Sequence, residues 1–240
     1  MARAKREPVV SASRNLTYGM LDALGKTIVT GGYDAVPFPT EAELARQYAV
    51  SRSVTREAVK MLTAKGLLTA RPRKGTTVQP RGQWNLFDPD ILRWILDRQF
   101  SLDLLRQFTE LRIAIEPAAA ALAAHAAQAP GLTAIRAGFD RMAAAEAGND
   151  DPLEADIAFH IAILDASANP FYRQFRDVVE TALRTSIRFT NGADGGAASL
   201  PQHQEVLSAI ERHDAAGANA AMTALIADVM KLITAAEAQA

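Results

Sequence analysis

Asp156 and His160 stand four residues apart in a stretch of helical composition, so both side chains leave one face of a helix. His203 opens another helical stretch just after Pro201. A carboxylate and two imidazoles can ligate Zn²⁺, Ni²⁺, Mn²⁺ or Fe²⁺ once folding brings them together. As a motif the set is unspecific, because a hydrogen-bonded core histidine beside Phe159 and a surface histidine at a helix start account for the same residues. His125, in an alanine run, and His213, beside Asp214 near a turn, carry less. A second kind of chemistry lies upstream. Arg52, Arg56 and Lys60 recur every four residues and share one helix face, while Val54, Ala58, Met61 and Leu62 form an apolar stripe on another. A helix with one side in a core and a row of cations outward suits the major groove of DNA.

The elements that must position these groups can be read from caps and periodicity. Thr40 and Glu43 have the T-x-x-E spacing of a capping box and start a helix. Tyr48-Ala49-Val50 ends it in a tight turn, and Ser51 caps the basic helix. Residues 67–70 and 76–78 predict two short strands around a basic tip. Before them, Leu16, Met20, Leu21, Leu24 and Ile28 set a helical period that Gly31-Gly32 stops. Residues 79–90 hold two prolines and a glycine and mark a domain junction. Trp84, Leu86 and Phe87 are too apolar for a free linker and should pack on one domain or the other. From Ile91 onward the spacing predicts helices over 102–125, 132–147, 153–166, 171–190, 199–212 and 216–238, with a glycine-rich loop at 191–199. The abundant alanine favours helix and close helix approach. The expected fold is mainly α, with an N-terminal winged helix-turn-helix joined to a C-terminal antiparallel all-helical bundle. Its expected parts are a disordered tail (1–13), the winged domain (14–80), a linking and packing segment (81–98) and the bundle (99–240).

Charge supports the division. Residues 1–80 carry 13 basic against 6 acidic side chains, and residues 81–240 carry 13 against 21, so a net charge of −1 hides a basic N-terminal part and an acidic remainder. There is no cysteine, which excludes disulfides and thiolate metal sites. No uninterrupted apolar run approaches ~20 residues, so no membrane span is expected. Arg3, Lys5 and Arg6 are followed by no signal-peptide core, and the expectation is a soluble cytoplasmic protein.

Residues 50–78, with the VSRSVTREAVKMLTAKGLLTARPRKGTTV pattern, resemble the winged-helix signature of GntR-family bacterial transcription regulators. Asp156-x-x-Phe159-His160, then Ala168-Asn169-Pro170, then His203 resemble the ligand-binding FCD domain of that family's FadR branch. Gln83-Trp84-Asn85-Leu86-x-Asp88-x-Asp90, followed by a helix containing Trp94, is similar to the branch that answers to sugar acids. The resemblance implies a homodimer on a palindromic double-stranded operator. It implies base or backbone contacts from Arg52, Ser53, Thr55 and Arg56, and wing contacts from Arg73, Lys74 and Gly75. Ala42 stands where some relatives have a DNA-contacting arginine, which shifts specificity onto Arg52 and Arg56. The family's metal-type pocket maps onto Asp156, His160 and His203, but its fourth ligand position falls on Leu225. Either a weakly held divalent ion is completed by an oxygen-rich effector, or the same residues hydrogen-bond the effector directly. Arg112 matches an arginine that faces the pocket and would fork a carboxylate, the alternative being an ion pair with Glu116; Arg184 and Arg188 are further candidates. The implied effector is a small anion such as a sugar acid, and the implied function is a repressor released by it. An activator with another effector, and a constitutive DNA-binding dimer, use the same parts. The same triad also serves non-haem iron oxygenases, but those build it on a β-barrel, for which this chain has too few strands.

Overall fold

Helix α1 (Val10–Val29) buries Met20, Leu21, Leu24, Ile28 and Val29, and the turn after it passes through Gly31 at φ +90°. In the computed structural model, residues 10–71, 75–98, 100–126, 128–190 and 199–239 are described. The helix begins inside the 1–13 stretch expected to be disordered, and Leu16 of the expected stripe is solvent-exposed. Helix α2 (Glu41–Gln47) carries the complete capping box between Thr40 and Glu43. Its exit places Ala49 at φ +53°, the left-handed residue that reverses the chain into α3 (Arg52–Ala64), which Ser51 caps through the Val54 amide. Val54, Ala58, Val59 and Leu62 bury one face of α3. Strands β1 (Leu68–Arg71) and β2 (Gly75–Val78) pair antiparallel with Leu68 opposite Val78.

The segment expected to link two domains belongs to the first of them. The chain divides into two compact units, Met1–Gln99 and Phe100–Ala240. A 3₁₀ turn (Arg81–Gln83) leads to α4 (Pro89–Leu96), capped by Asp88, whose Ile91, Leu92, Trp94 and Ile95 are buried. Leu86 and Phe87, expected to pack, are about half exposed; Trp94 does the anchoring. Its ring fills the space left by the missing side chain of Gly25, and its Nε1 donates to Asp22 at 2.8 Å. Lys65, at the end of α3, reaches both Asp88 and Asp90 at 2.8 Å. The Asn85 amide donates to the Lys65 carbonyl at 3.0 Å.

The second unit is helical throughout its described residues: α5 (Leu102–Ala126), α6 (Ala129–Glu146), α7 (Pro152–Ala166), α8 (Pro170–Arg173), α9 (Arg176–Thr190), α10 (Leu200–Glu211) and α11 (Ala215–Glu237). The single helix expected over 171–190 is broken between α8 and α9, and the loop expected at 191–199 lies almost wholly outside the described residues. α5 packs most extensively on α11, and α6 on α7. Ala119, Ala120, Ala123 and Ala124 are fully buried on α5, small enough to let neighbouring helices approach. A Cβ on Gly138 of α6 would meet the Phe159 backbone at 2.8 Å, so only glycine permits this approach to α7. α11 is long and apolar enough to cross a membrane by length and composition, more than the sequence reading allowed; its Ala218, Met222, Leu225, Ile226 and Ile233 are buried within the bundle.

Gly66 supplies the test of how the N-terminal unit is closed. It sits at φ +78°, and a Cβ there would approach the Gln83 carbonyl oxygen to 2.4 Å. Gly66→Ala is expected to destabilise this unit by about 1–3 kcal/mol, read as a lower urea midpoint with an unchanged slope.

Candidate functional site

Three helices bring the separated polar residues to one point. α7 carries Asp156 and His160 one turn apart, α10 carries His203 in its first turn, and α5 carries Arg112 and Glu116. Asp156 Oδ1 lies 3.1 Å from His203 Nε2 and 3.5 Å from His160 Nε2, and the two Nε2 atoms are 3.4 Å apart. Ligand atoms ~2.0–2.1 Å from a tetrahedral ion stand roughly 3.3–3.4 Å from each other. The triangle therefore has the dimensions of three metal-ligand positions. Among the described residues it is the one grouping of three such side chains that could hold an ion. Asp156 Oδ1 is buried and lacks an aligned hydrogen bond, as an acceptor waiting for a cation does. Glu116 Oε2 lies 2.5 Å from His160 Nδ1, also without hydrogen-bond alignment. The other histidine is fixed from behind, its Nδ1 lying 2.8 Å from the Ser199 carbonyl oxygen. Phe159 packs edge-on against both imidazoles.

Arg112 is buried and turned toward Glu116: Nε donates to Oε1 at 2.5 Å, and Nη2 lies 3.4 Å from Oε2. Its Nη2 also lies 3.5 Å from His160 Nε2, so the guanidinium flanks the triangle while paired. Arg184 bonds Glu154 and Glu180 instead, and the Arg188 side chain lies outside the described residues. His125 is exposed, and His213 Nδ1 lies 2.8 Å from the Ala124 carbonyl oxygen, away from the site. Leu225 is buried in the core and offers no donor.

Burial penalises the charged forms of Glu116, Asp156 and His160, and their partners outweigh it. Glu116 is pushed up by desolvation but brought down to about 2 by Arg112 and His160. Desolvation likewise opposes Asp156, whose carboxyl the two imidazoles hold well below the usual range. His160 loses from burial but gains more from Glu116 and Asp156, ending at about 9.

On α3 the Arg52, Ser53, Arg56 and Lys60 side chains are exposed along one side, Lys60 making only a long 3.9 Å pair with Glu57. Thr55 is the exception among the expected contacts. It is fully buried, with its hydroxyl 3.2 Å from the Ser51 carbonyl oxygen, where it braces the helix start. Gly75 opens β2 at φ +77°, while Arg73 and Lys74 lie outside the described residues.

Residues 23–78 match the family of bacterial regulatory proteins named gntR, and residues 107–228 match the FCD domain. The galactonate operon transcriptional repressor of Escherichia coli (strain K12) is 34% identical over 218 residues, spanning 89% of this chain and 94% of that protein. The chain belongs to the GntR family of transcription regulators. Another relative, the HTH-type transcriptional regulator YieP of the same organism, is 34% identical over 90% of this chain and 95% of its own. In solved structures, the GntR protein's fold is shared with Lar, which controls expression of the Listeria monocytogenes agr system (TM-score 0.60, 17% identity, 96% and 99% coverage). It is shared also with E. coli McbR/YncC (TM-score 0.52, 17% identity, 92% and 98% coverage). Family and relatives are transcription regulators rather than enzymes.

What the sequence reading of this GntR protein missed is Glu116. It entered only as a local partner for Arg112, four residues away on α5, and nothing in the sequence ties it to His160 on α7. The same carboxylate sets a pH dependence. Its folded value lies below the ordinary 4.5, so its contribution is complete above pH 4.5 and lost as pH falls toward 2. His160 is raised from 6.5, so its contribution is complete below pH 6.5 and lost as pH rises through 9. With chelator present, urea unfolding of the bundle should show a stability plateau between about pH 4.5 and 6.5, falling on the acid side as Glu116 and Asp156 protonate and on the basic side as His160 loses its proton.

Proposed function

We propose that this GntR-family protein is a repressor, acting as a homodimer in the cytoplasm, that leaves a palindromic operator when a small carboxylate effector enters the bundle. The observation that carries this reading is the sealed group of Asp156, His160, His203 and Arg112 inside the C-terminal unit. For stability alone, well-packed apolar residues in place of these groups would serve a dimerising bundle as well or better. The likeness to the galactonate operon repressor supports a sugar acid as the effector class.

The chemistry of the donor set argues for an anion. Asp156, His160 and His203 would hold Zn²⁺, Ni²⁺ or Mn²⁺, which supplies a Lewis-acid position for carboxylate and hydroxyl oxygens. With neutral imidazoles and Arg112 balanced by Glu116, a divalent ion beside Asp156 leaves one net positive charge in a buried site. A carboxylate neutralises it. Leu225 supplies no donor at the fourth ligand position that the family resemblance implies, which would leave a coordination position for an effector oxygen. Arg112, flanking His160, is placed to meet the same anion, although its pairing with Glu116 leaves it less free than an effector-dedicated arginine.

On the DNA side, Arg52, Ser53 and Arg56 read the major groove from the start of α3, with Lys60 on the backbone. Gly75, with Arg73 and Lys74 just before it in the sequence, follows the minor groove. Effector binding repacks α5 against α7 and α10, and the chain joining α4 to α5 carries the change to the winged unit. The coupling is reciprocal: operator DNA weakens effector binding by the factor by which effector weakens operator binding, typically ~1–3 kcal/mol.

Fluorescence anisotropy on a palindromic fragment from the protein's own upstream region tests this. A panel of aldonates and other hydroxy acids, titrated with and without chelator, should contain one that releases the operator. Operator binding that no small acid alters would leave a constitutive DNA-binding dimer, and tighter binding on addition would make the protein an activator. Arg52→Ala and Arg56→Ala are each expected to weaken operator binding by ~1–3 kcal/mol, without moving the urea midpoint.

A further inference from the structure

An imidazole serves as a dependable ligand only when its second nitrogen has an acceptor, which selects the tautomer and holds the ring plane. His203 has the Ser199 carbonyl for this. For His160 the group facing the second nitrogen is the Glu116 carboxylate, whose Oε2 lies 2.5 Å from Nδ1, at ion-pair distance though out of line for a hydrogen bond, with both side chains 1% exposed. The edge of the ring that faces Asp156 and His203 carries the other nitrogen, Nε2. Glu116 is held in turn by Arg112 through Nε. The order is guanidinium, carboxylate, imidazole, ligand point, running from α5 into α7.

We propose that Glu116 is the positioning residue of the metal site. It fixes His160 with the proton on Nδ1, and thereby presents the Nε2 lone pair to the point shared with Asp156 and His203. Glu116 is not itself a ligand, since its oxygen meets the nitrogen on the far side of the ring. Arg112 acts through Glu116, by holding that carboxylate in place beside Nδ1. The inference rests on the reading of Asp156, His160 and His203 as a metal site. It adds what makes a three-ligand site hold an ion: the missing donor at Leu225 is offset by a more basic, better oriented imidazole. It also explains why a buried ion pair lies on α5, the one helix of the site that contributes no ligand.

The test is Zn²⁺ affinity by chelator competition on the full-length protein, with Co²⁺ spectra as a second readout. Glu116→Gln should weaken Zn²⁺ by about 10–100-fold and shift the Co²⁺ ligand-field bands. Arg112→Lys, which disturbs the ion pair but leaves a carboxylate against His160, should weaken it far less. A merely structural pair predicts the opposite pattern, with both variants less stable when metal-free and Zn²⁺ affinity unchanged in both. That result overturns the proposal. A measurement on the unaltered protein guards against a variant that fails to fold. ¹⁵N shifts of the Zn²⁺-loaded wild type should show His160 protonated at Nδ1 and metal-bound at Nε2; metal at Nδ1 overturns the assignment. Wild type that takes up neither Zn²⁺ nor Co²⁺ refutes the metal reading itself, a failure distinct from an unchanged Glu116→Gln.

Discussion

Two carboxylates, a guanidinium and two imidazoles cannot be withdrawn from water one at a time. An ionised group left alone in a protein interior costs many kcal/mol, and a partner repays that only with close geometry. In this bundle each member compensates another: Arg112 holds Glu116, Glu116 faces His160, and His160 and His203 both face Asp156. The compensation is satisfied in one arrangement of α5, α7 and α10, so the polar group constrains the register of the helices around it. The small residues elsewhere serve the same end. Gly138 lets α6 lie against the Phe159 backbone, and the buried alanines of α5 leave its neighbours close.

A charged interior that is nearly balanced is also one that a ligand can tip. A divalent cation adds charge that an anion must answer, and an anion alone disturbs the pairing of Arg112. Either event changes the electrostatic terms that hold three helices in place. This is the property a sensor domain needs, a polar site whose occupancy bears on helix packing rather than on one side chain. A purely apolar bundle would be easier to stabilise and would have nothing to sense with.

The N-terminal unit follows the opposite logic. Its cations stay in solvent on α3 while Val54, Thr55, Ala58, Val59 and Leu62 turn inward. Its interior is closed by Trp94 from α4 and by the approach of the Gln83 carbonyl to Gly66, with Lys65 tying the end of α3 to Asp88 and Asp90. Exposed arginines contribute little to folding and remain available to phosphates and bases. One chain thus carries two electrostatic designs, and the opposite net charges of its two parts reflect them.

How much of this was legible depended on whether the physics is local. The capping box at Thr40, the cap at Ser51, the two-faced α3 and the helical character of the bundle are set by neighbours within four residues, and they are readable in the sequence. So is the Asp156–His160 pairing on one helix face. Other features required distant elements to meet. Thr55 has the spacing of a contact residue but turns into the core of its unit. The 81–98 segment reads as a linking and packing segment, but which residue anchors it is visible only with Trp94 against Gly25. Arg112 has two suitors in the sequence, an anion and Glu116, and only the folded bundle shows it on Glu116. By itself the sequence determined the helices, the reading face and the candidate ligands, because backbone hydrogen bonds and side-chain periodicity act over one turn. Tertiary structure decided which buried charges share a point, because that depends on the packing of three helices separated along the chain.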